Sequence, residues 1–132
     1  MLVSLAGIAK LTGMRVVAAC PEGYEPPPGT PVELVHDPNE AAAGADVLVT
    51  DIWTSLGTDD EAAQRLRDLE PYRLDAALLS NAAAGAIVLH CLPAHPGEEI
   101  AAEVLYGPRS AVWDEAENRL HVQKALLALV LG

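Results

Sequence analysis

The residues of this chain able to do chemistry cluster in two short segments. In His90-Cys91-Leu92-Pro93-Ala94-His95 a thiol and two imidazoles adjoin a proline. In Thr50-Asp51-Ile52-Trp53-Thr54-Ser55-Leu56-Gly57 a carboxylate sits beside an indole and hydroxyls. A carboxylate can hold a cation, and a thiol or imidazole can pass a proton. Arg119 offers a permanent, fork-shaped cation of the kind that receives phosphate or a developing oxyanion. Plainer readings stand beside these. Trp53 fills a core gap while Asp51 or Ser55 caps the next helix. Cys91 is a buried, inert thiol, and His90 and His121 are satisfied structurally. Arg119 pairs with Glu115 or Glu117, although a cation at a helix start opposes the helix dipole. His90, Cys91 and His95 also suggest a metal, but three ligands in one loop with no fourth in view are weak support, and no metal is assigned. A cis bond between Leu92 and Pro93 would aim the Leu92 carbonyl outward.

These loops need elements to position them. Helical spacing runs from Leu2 to Thr12 with Gly13 as a stop. Short apolar runs at Arg15–Cys20, Val32–Val35, Asp46–Thr50 and Ala86–His90 read as strands. Pro26, Pro27 and Pro28 force an extended loop. Asp37 caps a helix from Pro38 towards Gly44, Thr58 to Glu61 reads as a capping box for a helix reaching Leu69, and Asp75 caps another through Leu79. Glu98 to Leu105 reads as helix, Ala111–Trp113 as a short strand, and Asn118 to Leu131 as a final apolar helix. Strands apolar throughout and alternating with helices predict an α/β fold, a three-layer Rossmann-like domain whose mostly parallel sheet is covered on both faces. Ligands in such sheets bind outside the carboxyl ends of the strands, where both loops fall. No G-x-G-x-x-G follows any of these strands, which argues against a dinucleotide site.

The chain has 132 residues, enough for one domain with a core. Its formal charge is −11, from 8 basic and 19 acidic residues. That balance repels nucleic acid and anionic membrane surfaces. Its two cysteines, Cys20 and Cys91, read as free thiols of a cytoplasmic protein. The stretch from Met1 to Leu11 lacks a basic start and a cleavage-type ending, so no signal peptide is expected. No apolar run approaches the roughly 20 residues of a membrane span.

Together the two loops resemble the ornithine carbamoyltransferase family. Asp51 to Gly57 is similar to its D-x-W-x-S-M-G loop, with Leu56 where Met is usual. His90 to Pro93 matches its H-C-L-P. Ala116-Glu117-Asn118-Arg119 matches its A-E-N-R, and Pro21-Glu22-Gly23-Tyr24 its P-E-G-Y turn. The resemblance spans about Ser4 to Leu131. It implies that residues 1–132 are the C-terminal, ornithine-binding domain. Asp51, Ser55 and Leu56 would contact L-ornithine. Cys91 would sit at the reacting centre, with Leu92 and Arg119 engaging carbamoyl phosphate, and Asp51, Cys91 and Arg119 would be the catalytic residues. The implied reaction gives citrulline and phosphate, as in arginine biosynthesis, without a cofactor. Pro96 stands where bacterial relatives often have a basic residue, so it takes no ligand role.

The resemblance also implies what lies outside these residues. The family's N-terminal carbamoyl-phosphate-binding domain has no counterpart here, nor does the G-D-x-N-N strand that opens the ornithine domain, so the first strand is expected to be missing. The chain is therefore expected to be an enzyme half with little activity alone, from a family of trimer-based homo-oligomers. Carbamoyltransfer to acetylornithine, succinylornithine or putrescine is one alternative. A non-catalytic amino-acid-binding module is another.

Overall fold

The computed structural model describes residues 1–54 and 59–132, with side chains left aside from 55 to 61. Its elements run α1 (Leu2–Thr12), β1 (Val17–Ala19), β2 (Glu33–Val35), α2 (Pro38–Ala42), β3 (Val47–Thr50), α3 (Asp59–Leu69), a 3-10 turn (Glu70–Tyr72), α4 (Ala76–Ser80), β4 (Ile87–His90), α5 (Ala102–Leu105) and α6 (Val112–Leu131). Local chemistry sets several of these bounds. Gly13, at φ 76°, ends α1 in the left-handed region and returns its N–H to the Ala9 carbonyl. The Asp37 carboxylate accepts from the Asn39 N–H at 2.8 Å, with Pro38 opening α2. Asp75 does the same for the Leu78 N–H at 2.8 Å. Pro71 has no N–H to continue α3, and the chain tightens there into the 3-10 turn. The capping box proposed for α3 begins at Thr58, outside the described residues.

All strand pairing between named strands is parallel, so the α/β expectation holds. Among the described residues the strands form two separate pairs rather than one continuous sheet: β1 with β2, and β3 with β4. One face of the second pair meets the core through Leu48 and Val88. On the other face Val47, Val49 and Ile87 are 42%, 50% and 40% exposed. The expectation of cover on both faces is therefore not met for β3 and β4.

The core is aliphatic throughout: Ala42, Leu48, Leu74, Leu79, Val88, Ile100, Val104, Leu105 and Val112. Through Leu48 and Val88 it joins β3 and β4 to α4, α5 and the start of α6. The 20 residues of α6 make a rod about 30 Å long. Its first residue, Val112, is fully buried, whereas Leu120, Leu126, Leu127 and Leu129 further along are exposed. No helix among the described residues is long and apolar enough to cross a membrane.

Two stretches differ from the sequence expectation. Residues 109–111 form the extended contact with β4, where the Val88 N–H meets the Arg109 carbonyl and the Ala111 N–H meets the Val88 carbonyl, each at 2.9 Å. Helix α6 starts directly after, so 111–113 is not a strand and the last helix begins six residues before Asn118. Within 98–105 only Ala102–Leu105 is helical. Residues 97–99 form a turn and Ile100 bridges to Leu74, because the Glu99 carbonyl and Ala101 N–H are both taken by the backbone of Leu74.

Candidate active site

The register of β3 and β4 sets the site. Thr50 pairs with His90, the last residue of each strand. Parallel neighbours lie about 4.8 Å apart, so the next residues, Asp51 and Cys91, leave the sheet side by side. Their side chains meet: Cys91 Sγ donates to Asp51 Oδ1 at 2.8 Å. Asp51 Oδ1 also accepts from the Ile52 N–H at 2.8 Å, which fixes the carboxylate against its own loop. Asp51 is exposed and Cys91 half-buried, so an incoming group can reach both.

Burial pushes the Cys91 thiol up from the ordinary 9.0 to about 11, and the Asp51 hydrogen bond, the Asp51 charge and the Glu115 charge push the same way. At neutral pH the residue is therefore a neutral thiol and a hydrogen-bond donor. Glu115 comes from the first turn of α6, where its Oε2 accepts from the His90 N–H at 2.9 Å and ties the helix to the end of β4.

Behind Cys91 lies a buried pair. His90 and Glu99 are 1% and 0% exposed. The Leu92 N–H donates to His90 Nδ1 at 2.9 Å, so Nδ1 is the acceptor nitrogen. The other nitrogen, Nε2, lies 3.1 Å from Glu99 Oε1 and carries the proton. This chain holds Leu92 at φ 54°, a left-handed backbone that costs a side-chain-bearing residue about 1–2 kcal/mol. The Leu92–Pro93 bond is cis. Sequence reasoning missed Glu99 as a support of this loop. The signal was faint: an acidic residue beside the apolar Ile100, with nothing local to say that both face inwards.

Arg119 lies on the eighth residue of α6, one turn beyond Glu115 and on the same face. It is exposed and, among the described residues, makes no ion pair with Glu115 or Glu117; Glu117 faces His121 instead, at 3.7 Å. The helix-start argument about its charge lapses, since α6 begins at Val112. Ser55 and Leu56 lie outside the described residues. Thus the structure brings Asp51 and Cys91 into contact and sets Arg119 on the helix face that carries Glu115.

Residues 1–130 match the family described as aspartate/ornithine carbamoyltransferase, Asp/Orn binding domain. The chain belongs to this family. Among carbamoyltransferase relatives, the ornithine carbamoyltransferase of Gloeobacter violaceus is 53% identical, over 97% of this chain and 45% of the relative. The anabolic ornithine carbamoyltransferase of Pseudomonas aeruginosa is 54% identical over 86% of this chain and 39% of its own length. In three dimensions the domain resembles the ornithine carbamoyltransferase of Thermus thermophilus, with a TM-score of 0.90 at 45% identity, covering 100% of this chain and 45% of that one. An N-acetyl-L-ornithine transcarbamylase is more distant, with a TM-score of 0.80 at 29% identity, covering 96% and 43%. The chain thus spans less than half the length of these carbamoyltransferases.

Proposed function

We propose that the chain is the ornithine-binding part of an ornithine carbamoyltransferase, acting in the cytoplasm in arginine biosynthesis. The observation that carries this reading is the register-set contact of Asp51 with Cys91 outside the carboxyl ends of adjoining parallel strands.

The side-chain amine of ornithine has a pKa near 10, so it arrives as an ammonium. Asp51 holds it by a charge-assisted hydrogen bond, in place of the one it accepts from the Cys91 thiol. Ser55 and Leu56 hold the amino-acid end. An ammonium beside Cys91 favours ionisation of that thiol, opposite in sign to Asp51 and Glu115. The carboxylate–thiol pair takes up the proton that the nitrogen sheds before attack, and the departing phosphate takes the second proton, shed once the N–C bond has formed. The nitrogen attacks the carbamoyl carbon, the N–C bond forms, and the C–O bond to phosphorus breaks with its electron pair leaving on phosphate. The Leu92 carbonyl accepts from the carbamoyl NH2 and fixes the plane of attack. Arg119 receives charge on the carbonyl and phosphate oxygens. Much of the acceleration comes from holding both substrates together.

Carbamoyl phosphate is a dianion and the chain carries −11. Of its eight Lys and Arg residues only Arg119 falls in a matched motif. We therefore place most of the phosphate-binding groups outside these 132 residues, in a carbamoyl-phosphate-binding half, and the working assembly in a trimer-based homo-oligomer.

The test is citrulline formation from ornithine and carbamoyl phosphate by this chain alone and mixed with a carbamoyl-phosphate-binding half from a relative. The expected result is little or no product alone and product on mixing. Acetylornithine, succinylornithine and putrescine run in parallel, and a faster rate with any of them replaces ornithine as the substrate. Tight ornithine binding with no product on mixing would favour a binding module instead.

A further inference from the structure

We propose that His95, Glu98 and Glu99 form a binding site for a divalent transition-metal ion of the Zn2+ class, in the loop that follows β4. One ligand atom from each of the three lies within 4.8 Å of the others. A cluster of this kind means little unless something in it lacks a partner, and here two buried atoms do.

Glu99 is fully buried. Its Oε1 is occupied twice over, by the His95 backbone N–H at 2.5 Å and by His90 Nε2 at 3.1 Å. Its Oε2 is buried with no donor at all, and so is Oε2 of Glu98. A buried carboxylate oxygen without a donor costs on the order of 1–3 kcal/mol or more. The nearby groups do not relieve it. The His95 ring approaches Glu98 Oε2 only to 3.5 Å, and Arg73 is directed to the Glu98 backbone carbonyl at 2.8 Å and to Glu70 at 3.8 Å. A cation held among the three side chains would give a partner to carboxylate oxygens that otherwise lack one.

The donor set narrows the ion. One imidazole nitrogen with two carboxylate oxygens suits Zn2+, Co2+, Ni2+ or Mn2+, and selects against soft ions that seek sulfur. His95 and Glu98 are both partly open to solvent, which leaves coordination positions for water. His90 acts one shell further out, since its Nε2 fixes the orientation of the Glu99 carboxylate.

This is a different set from the His90, Cys91 and His95 that the sequence places side by side. Both nitrogens of His90 are engaged inwards, and Cys91 is engaged by Asp51. The proposal does not depend on the transferase reading, because none of its three ligands is assigned a role there.

The test is calorimetric titration of Zn2+ into the metal-free 132-residue chain, paralleled by Co2+ absorption. One equivalent should bind, and the cobalt spectrum should carry no sulfur-to-metal charge-transfer band. His95→Ala and Glu98→Gln should each weaken Zn2+ about 100-fold or more, while Cys91→Ser leaves affinity unchanged. Both substituted positions are partly exposed, and circular dichroism checks that each variant is folded. Affinity should also fall as pH is lowered, because protons compete with the metal for its ligands. Absence of saturable binding, or binding that survives both substitutions and disappears in Cys91→Ser, overturns the proposal.

Discussion

Cys91 Sγ donates to Asp51 Oδ1 across 2.8 Å, although the two residues are 40 positions apart in the chain. The contact follows from strand register: once Thr50 pairs with His90, the residues that leave the two strands are neighbours. The carboxylate and the thiol therefore belong to one unit, and a change at Asp51 is felt at Cys91.

The first consequence is a slow thiol. With its pKa raised from 9.0 to about 11, Cys91 holds about 100-fold less thiolate than an ordinary cysteine at pH 8. Iodoacetamide alkylation of Cys91, followed by peptide mass so that Cys20 is read separately, should be correspondingly slow and should rise towards pH 11. Asp51→Asn removes both the accepting carboxylate and its charge, and should speed alkylation at pH 8 by roughly tenfold. The sign for stability follows from the same shift. The folded chain holds this proton more tightly than the unfolded chain, so the contribution is intact below pH 9 and is lost as pH rises through about 11. Equal alkylation rates in the two proteins would contradict the coupling.

Glu99 supports the loop from below. Glu99→Ala leaves His90 Nε2 and the His95 N–H without an acceptor in a buried setting and should destabilise the metal-free chain by about 3 kcal/mol in urea unfolding. Glu99→Gln keeps a carbonyl oxygen for the same donors and should cost clearly less. Equal losses would mean that charge, and not the hydrogen bonds, matters at this position.

For Arg119 the expectation separates function from stability. Because it pairs with no acidic residue among the described ones, Arg119→Ala should shift the unfolding free energy by no more than about 0.5 kcal/mol. In the enzyme assembled with its phosphate-binding half, the same change should lower kcat/KM by about 1000-fold. A large loss of stability would restore the structural reading of this residue.

What was legible in the sequence was local. Gly13, Asp37 and Asp75 each act on backbone groups within four residues, so their roles at helix ends could be read without the fold. The two loops were legible as motifs, and their place after β3 and β4 followed from apolar runs. Glu99 was not, because its partners come from the far end of β4 and from the turn between them. The start of α6 was missed for a similar reason: residues 109–111 look like the approach to a strand, and only pairing with Val88 shows where extension stops. The apolar half of α6 was rightly seen as helix. Hydrophobicity marks that surface as one suited to burial, yet Leu126 to Leu131 stand exposed in this chain, and composition alone does not say what covers them.

The central claim is that the Asp51 carboxylate receives the amine of ornithine beside the Cys91 thiol. Its most direct measurement is kcat/KM for ornithine in the assembled enzyme with Asp51 and with Asp51→Asn, side by side. The neutral amide keeps the shape and loses the charge, so the account predicts a fall of about 1000-fold or more with the fold unchanged by circular dichroism. A variant that turns over ornithine at the parent rate would contradict it.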